Sequence, residues 1–166
     1  MTRRTLWIVS ALAVGLLAGW WVAGRSSGSD LTREDLEAAR QLWESAGPAS
    51  YTLVIETRGA TGKRSIVEVR DGEVISMETG GKPASRSAWA YWTVDGLFDF
   101  LDTELRNAAA AEQTYGASPD QVVLQARFDD RLGYPRRFLR HVLGTRNGVE
   151  WVVESLTPRG GSGSAP

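Results

Sequence analysis

The stretch Arg64-Ser65-Ile66-Val67-Glu68-Val69-Arg70-Asp71-Gly72-Glu73-Val74-Ile75-Ser76-Met77 decides the fold. Two alternating, β-branched runs flank an Asp-Gly pair. Such runs suit a pleated, half-buried surface, and Asp-Gly suits a two-residue type I′ turn because both central residues need positive φ. A tight antiparallel hairpin is expected, with Arg70 facing Glu73, Val69 facing Val74 and Ile66 facing Met77. Upstream, Tyr51, Leu53 and Ile55 alternate with Thr52 and Glu56, which predicts a strand beside it.

Working outward, the period changes to three and four. Leu36, Ala39, Leu42, Trp43 and Ala46 form an apolar stripe, with Thr32 as N-cap, Asp35 three residues on, and Leu31 and Leu36 spaced as a hydrophobic staple. Gly47-Pro48 should end this helix through a left-handed glycine. A second helix is predicted from the cap Thr93 to about Ala111 on the stripe Val94, Leu97, Phe98, Leu101, Leu105 and Ala108. Val122, Leu124, Ala126 and Phe128 then alternate with Val123, Gln125 and Arg127, and 136 to 144 and 149 to 157 flank a hairpin signal at Asn147-Gly148. The order helix, three strands, helix, three strands predicts an α+β domain, a mainly antiparallel sheet with helices on one face.

Ahead of it, Leu6 to Ala23 (LWIVSALAVGLLAGWWVA) runs eighteen residues without a charge, between Arg3-Arg4 and Arg25. As a helix it would measure about 27 Å, close to the ~30 Å hydrocarbon layer. The basic start predicts an N-terminus inside and a body exported across the cytoplasmic membrane. A cleaved signal peptide shares the basic start and apolar middle and would leave a secreted domain, but Trp20-Trp21 suits the interfacial aromatic belt better than a small-residue cleavage site. The expected layout is 1-5 cytoplasmic, 6-24 transmembrane helix (signal anchor or signal peptide), 25-29 linker, 30-158 exported domain and 159-166 disordered tail. The membrane would be contacted through residues 6-23.

Beyond Arg25 stand sixteen basic and twenty acidic residues, a net charge of −4. That balance gives no basis for nucleic-acid binding. With no cysteine in the chain, disulfides, thiolate zinc sites, thiol nucleophiles and a lipid-attachment cysteine are all excluded.

VEVRDGEVISM (Val67 to Met77), TVDGLFDFL (Thr93 to Leu101) and FDDRLGYPRRF (Phe128 to Phe138), with Trp43 before the first strand, resemble the exported bacterial family named for domain of unknown function six-one-seven-four. The resemblance covers most of residues 40 to 156. It implies export, often by signal peptide or lipid anchor, and brings no activity and no catalytic residue. Lacking the cysteine, this chain would need its own helix as anchor.

Few residues suggest chemistry. His141 is the single histidine, and an Asn147-Gly148 loop would set Glu154 opposite it, either as an acid-base pair or as a cross-strand pair on a solvated face. Asp129-Asp130 near Glu104 or Glu112 could hold a hard cation or serve as turn residues. Gly133-Tyr134-Pro135 reads as a structural corner. Arg86, Trp89, Tyr91 and Trp92 in RSAWAYW form a possible binding surface, since aromatics and Arg are enriched in hot spots, or else close the core. No phosphate loop, HExxH or nucleophile elbow occurs. No catalytic, metal or cofactor residue is therefore expected. The reading is a non-enzymatic membrane-anchored domain binding a protein or envelope component. The alternative is a carrier or sensor of a small apolar ligand or lipid, and a hydrolase ranks below both.

Overall fold

A computed structural model describes residues 29–59 and 62–160. The apolar segment 6–23, the linker up to residue 28 and the tail from 161 lie outside the described residues. Among those described, no helix is long and apolar enough to cross a membrane.

The elements run β1 (Ser29–Asp30), α1 (Arg33–Ala46), β2 (Tyr51–Thr57), β3 (Arg64–Arg70), β4 (Glu73–Thr79), β5 (Lys82–Pro83), α2 (Arg86–Trp89), a 3₁₀ turn (Ala90–Trp92), α3 (Val94–Ala109) and α4 (Ala111–Tyr115). A second 3₁₀ turn (Pro119–Gln121) leads into β6 (Val122–Phe128), β7 (Pro135–Val142) and β8 (Gly148–Pro158). Every pairing is antiparallel, in the order β1-β6-β7-β8-β2-β3-β4-β5. The α+β architecture and the six long strands agree with the sequence pattern. The two-residue strands at the sheet edges add to it.

Both helix starts form as the sequence implies. The Thr32 hydroxyl accepts from Asp35 N–H at 3.1 Å and Thr93 from Gly96 N–H at 3.0 Å, each satisfying a donor that has no partner within the helix. Leu31 and Leu36 are both buried. The α1 ending differs from expectation: Gly47 has φ −69° and ψ 140°, so it is not a left-handed cap. Glycine is needed there for space, because a Cβ would come within 2.6 Å of the Trp43 ring. The second helix also stops earlier than expected, at Ala109, and α4 follows as a separate turn.

One face of the sheet carries the core, including Leu53, Ile55, Val67, Phe98, Leu101 and Phe138, all fully buried. Trp43 meets Tyr51 and Tyr134 edge-on at 5.5 and 6.5 Å, while Phe138 touches Phe100 and Trp151 at 5.3 and 5.8 Å. Aromatic pairs at such separations add about 0.5–1.5 kcal/mol beyond the area they bury. The Gly133-Tyr134-Pro135 corner is structural as read: all three are buried, and a Cβ on Gly133 (φ 79°) would lie 2.2 Å from the Ala39 carbonyl.

Three bulges separate the observed registers from simple alternation. In the β3–β4 hairpin Arg70 does face Glu73 and Val69 does face Val74, but Glu68 then pairs with Ser76, leaving Ile75 as the extra residue. Met77 consequently pairs with Val67, not with Ile66. Ile75 is thereby turned outward, at 42% exposure. Arg136 is extra in β7 and Glu154 in β8. An unpaired residue of this kind bends its strand and increases the local twist.

Candidate functional site

The expected His141–Glu154 pair does not form. Val142 N–H donates to the Asn147 carbonyl, and the β7–β8 turn is built around Gly144 (φ 77°), so His141 pairs with Gly148. Glu154 stands six residues further along β8, about 20 Å away at strand spacing. It accepts instead from Arg64 at 2.7 Å. Asn147 closes this turn instead of forming its tip: its carbonyl accepts from Val142 and its side-chain oxygen from Arg140 at 3.0 Å.

Asp129 is a turn residue, its Oδ1 taking the N–H groups of Arg131 and Leu132 at 3.1 and 2.9 Å. Burial, and after it the Asp129 charge, pushes the Tyr134 phenol up. Glu104 does not join Asp129. It is 4% exposed, on the core side of α3, where both carboxylate oxygens accept from Arg140 of β7 at 2.9 Å. The Tyr115 hydroxyl donates to Glu104 at 3.0 Å, and the guanidinium lies 4.9 Å from the centre of the Tyr115 ring. Burial is the main cause of the upward shift of the Tyr115 phenol, reinforced by the Glu104 charge. The cluster ties α3 and α4 to the sheet. Its satisfied carboxylate and charged partner argue for a fastening role, since a buried pair is costly to break.

Arg86, Trp89, Tyr91 and Trp92 come together on α2 and the turn after it. Arg86 lies 5.2 Å from the Trp89 ring centre, and Trp89 Nε1–H donates to the Ala84 carbonyl at 3.3 Å. Trp89 and Trp92 pack on the core. Tyr91 does not, at 71% exposure. The turn carrying it is seated closely on α3: a Cβ on Gly96 would fall 2.0 Å from the Ala90 carbonyl. Tyr91 is thus an exposed ring on a fixed backbone support, while Arg86 is stacked on Trp89.

Sequence reading missed two clefts at the end of the sheet where β2 begins and the Asp71-Gly72 turn lies. That turn is pinned, Gly72 N–H donating to the Ala49 carbonyl at 2.8 Å and Asp71 N–H to the Ser50 hydroxyl at 3.0 Å. The first cleft, about 360 Å³, is lined by Ser50, Glu68, Arg70, Asp71 and Arg159 among others. Arg159, expected in the tail, is bonded here to Thr52 and Glu68, both at 2.8 Å. The second, about 290 Å³, has Trp43, Tyr51, Glu44 and Asp95 in its lining. Neither includes Trp89 or Trp92. Ser50 and Glu44 carried no periodic or motif signal that could have singled them out.

Residues 35–139 match the family described as "Family of unknown function (DUF6174)". The chain belongs to this family. The match takes in α1, the first hairpin, α3, the GYP corner and most of β7. No curated protein and no solved structure matches the chain.

Proposed function

We propose that this member of the family is a non-enzymatic, exported domain anchored in the cytoplasmic membrane of a bacterium through residues 6–23, which binds a protein of the cell envelope through the edge bearing Tyr91. The observation carrying this reading is Tyr91 itself, 71% exposed beside tryptophans that are packed on the core. An amphipathic ring on a backbone turn seated against α3, with Arg86 stacked on the neighbouring Trp89, has the composition of a binding hot spot, and a fixed backbone lowers the entropy lost on binding. The apolar run with its basic N-terminal flank supports the anchor.

The test is copurification from detergent-solubilised membranes with the tagged full chain. A partner recovered with the unaltered protein should be depleted about tenfold or more by Tyr91→Ala, the scale of a hot-spot loss, while Lys63→Ala leaves recovery unchanged. Equal recovery with Tyr91→Ala, or substrate turnover by the purified chain, would sink the reading. Intact mass settles the anchor separately: a mature chain shorter by about 20–25 N-terminal residues means a cleaved signal.

A further inference from the structure

The cleft between α1, β2 and α3 is chemically one-sided. Its walls are aromatic and aliphatic, from Trp43, Tyr51, Pro48 and Val69, and its charged lining is Glu44 and Asp95 with no basic residue. Both carboxylates are exposed, and neither forms an ion pair with a described residue.

Of the two helix ends beside it, that of α1 reinforces the sign. The last turn of α1 contains Glu44 and no basic side chain, so the negative end of the helix dipole is left without a positive counter-charge. The start of α3 would ordinarily attract an anion. Here Val94 N–H is taken by the Tyr51 hydroxyl at 3.2 Å and Gly96 N–H by Thr93 at 3.0 Å, and Asp95 sits in that first turn. The donors an anion would need are largely spent. Tyr51 contributes a second observation. Its ring is 4% exposed, and its hydroxyl accepts from Val94 while its own proton goes to no described acceptor.

We infer that this cleft receives the positively charged side chain of a lysine or arginine from a partner polypeptide, between the carboxylates of Glu44 and Asp95 and against the Trp43 and Tyr51 walls. The apolar walls beside the carboxylates strengthen the attraction, and they can pack on the methylene stem of the entering side chain. The uncommitted Tyr51 proton can meet a backbone carbonyl of the same segment. The inference is independent of the Tyr91 edge.

The test follows the Trp43 indole N–H resonance of the full chain in a non-ionic maltoside detergent, titrated with N-acetyl-lysine methylamide, N-acetyl-arginine methylamide and the neutral N-acetyl-norleucine methylamide. The two basic probes should bind with Kd on the order of 1 mM and the neutral one should leave the resonance unmoved. Glu44→Gln/Asp95→Asn should weaken binding about tenfold or more, and so should raising salt from ~0.05 to ~1 M, where the screening length falls to about 3 Å. These positions are exposed, so the amide variants keep the fold, which the same spectrum reports. No shift with either basic probe, an equal shift with the neutral one, or undiminished binding by the double variant would overturn the inference. If phosphoethanolamine shifts the resonance and the basic probes do not, the occupant is a lipid headgroup and the polypeptide assignment fails.

Discussion

The two faces of the sheet use the same ionic chemistry under opposite conditions. On the helix-covered face Glu104 and Arg140 pair at 2.9 Å with side chains only 6% and 12% exposed. On the open face Arg137 and Arg58 converge on Glu150 at 2.9 and 3.2 Å, and Arg64 meets Glu154 at 2.7 Å, all with side chains 23% to 54% exposed. The distances hardly differ. Water does: it screens the open-face pairs and solvates any survivor of a mutation, whereas the covered pair has nothing to replace a missing partner. Contact geometry alone therefore does not rank these interactions; burial does.

The largest effect should come from splitting the covered pair. Glu104→Ala leaves the Arg140 guanidinium buried without its counter-charge and is expected to cost about 3–5 kcal/mol in urea unfolding. Adding Arg140→Met should recover most of that loss, because removing both charges removes the desolvation penalty. A double variant no more stable than Glu104→Ala would show that the cluster acts by packing, not charge. Next in size, Tyr115→Phe deletes one hydrogen bond to a buried carboxylate, for about 1.5–3 kcal/mol. On the open face Glu150→Ala should cost no more than about 1 kcal/mol and even less in high salt. A cost above 2 kcal/mol would erase the distinction between the faces.

The smallest effect concerns the Arg33–Asp102 pair at 2.8 Å on the helix surface. The hydrogen bond from Arg33 holds the Asp102 carboxyl below its usual range, with Arg106 and Arg40 adding to the effect. A carboxyl whose folded pKa is depressed stabilises the fold above its unfolded pKa. That contribution disappears as pH falls through the folded value. Carboxyl NMR should show Asp102 titrating below a reference aspartate, and Arg33→Ala should move its midpoint upward. An unchanged midpoint would show that the bond is not maintained in solution.

The elements were readable where apolar spacing was unbroken: α1 from Leu36 to Trp43, β6 from Val122 to Phe128, and both N-caps. Registers were less so. Ile75, Arg136 and Glu154 each insert one residue into a ladder, and a bulge leaves no mark on composition. Asn147-Gly148 carried a strong turn signal, but the left-handed residue of the turn is Gly144 and Asn147 closes it. The buried ion pair does leave a trace in the sequence. Glu104 stands three residues after Leu101 on the apolar stripe of α3, and Arg140 falls midway between the inward Phe138 and Val142. Two opposite charges, each at an inward phase of its own element, predict each other. The clefts had no such trace, because the walls of one come from β3, β4 and the residues flanking β2 and β8, and those of the other from α1, β2, β3 and α3, brought together only by the sheet order.

That strand order also sets a length. Ser29, where the described chain begins, lies on the first strand of the sheet, and Ala84, against which Trp89 is bonded, follows the last. Seven interstrand steps of ~4.8 Å separate these borders, about 34 Å in all. If residues 6–23 anchor the chain, that width is the distance between the strand nearest the anchor and the β5 margin. A partner docking on the β5 margin would meet it at a reach set by the number of strands.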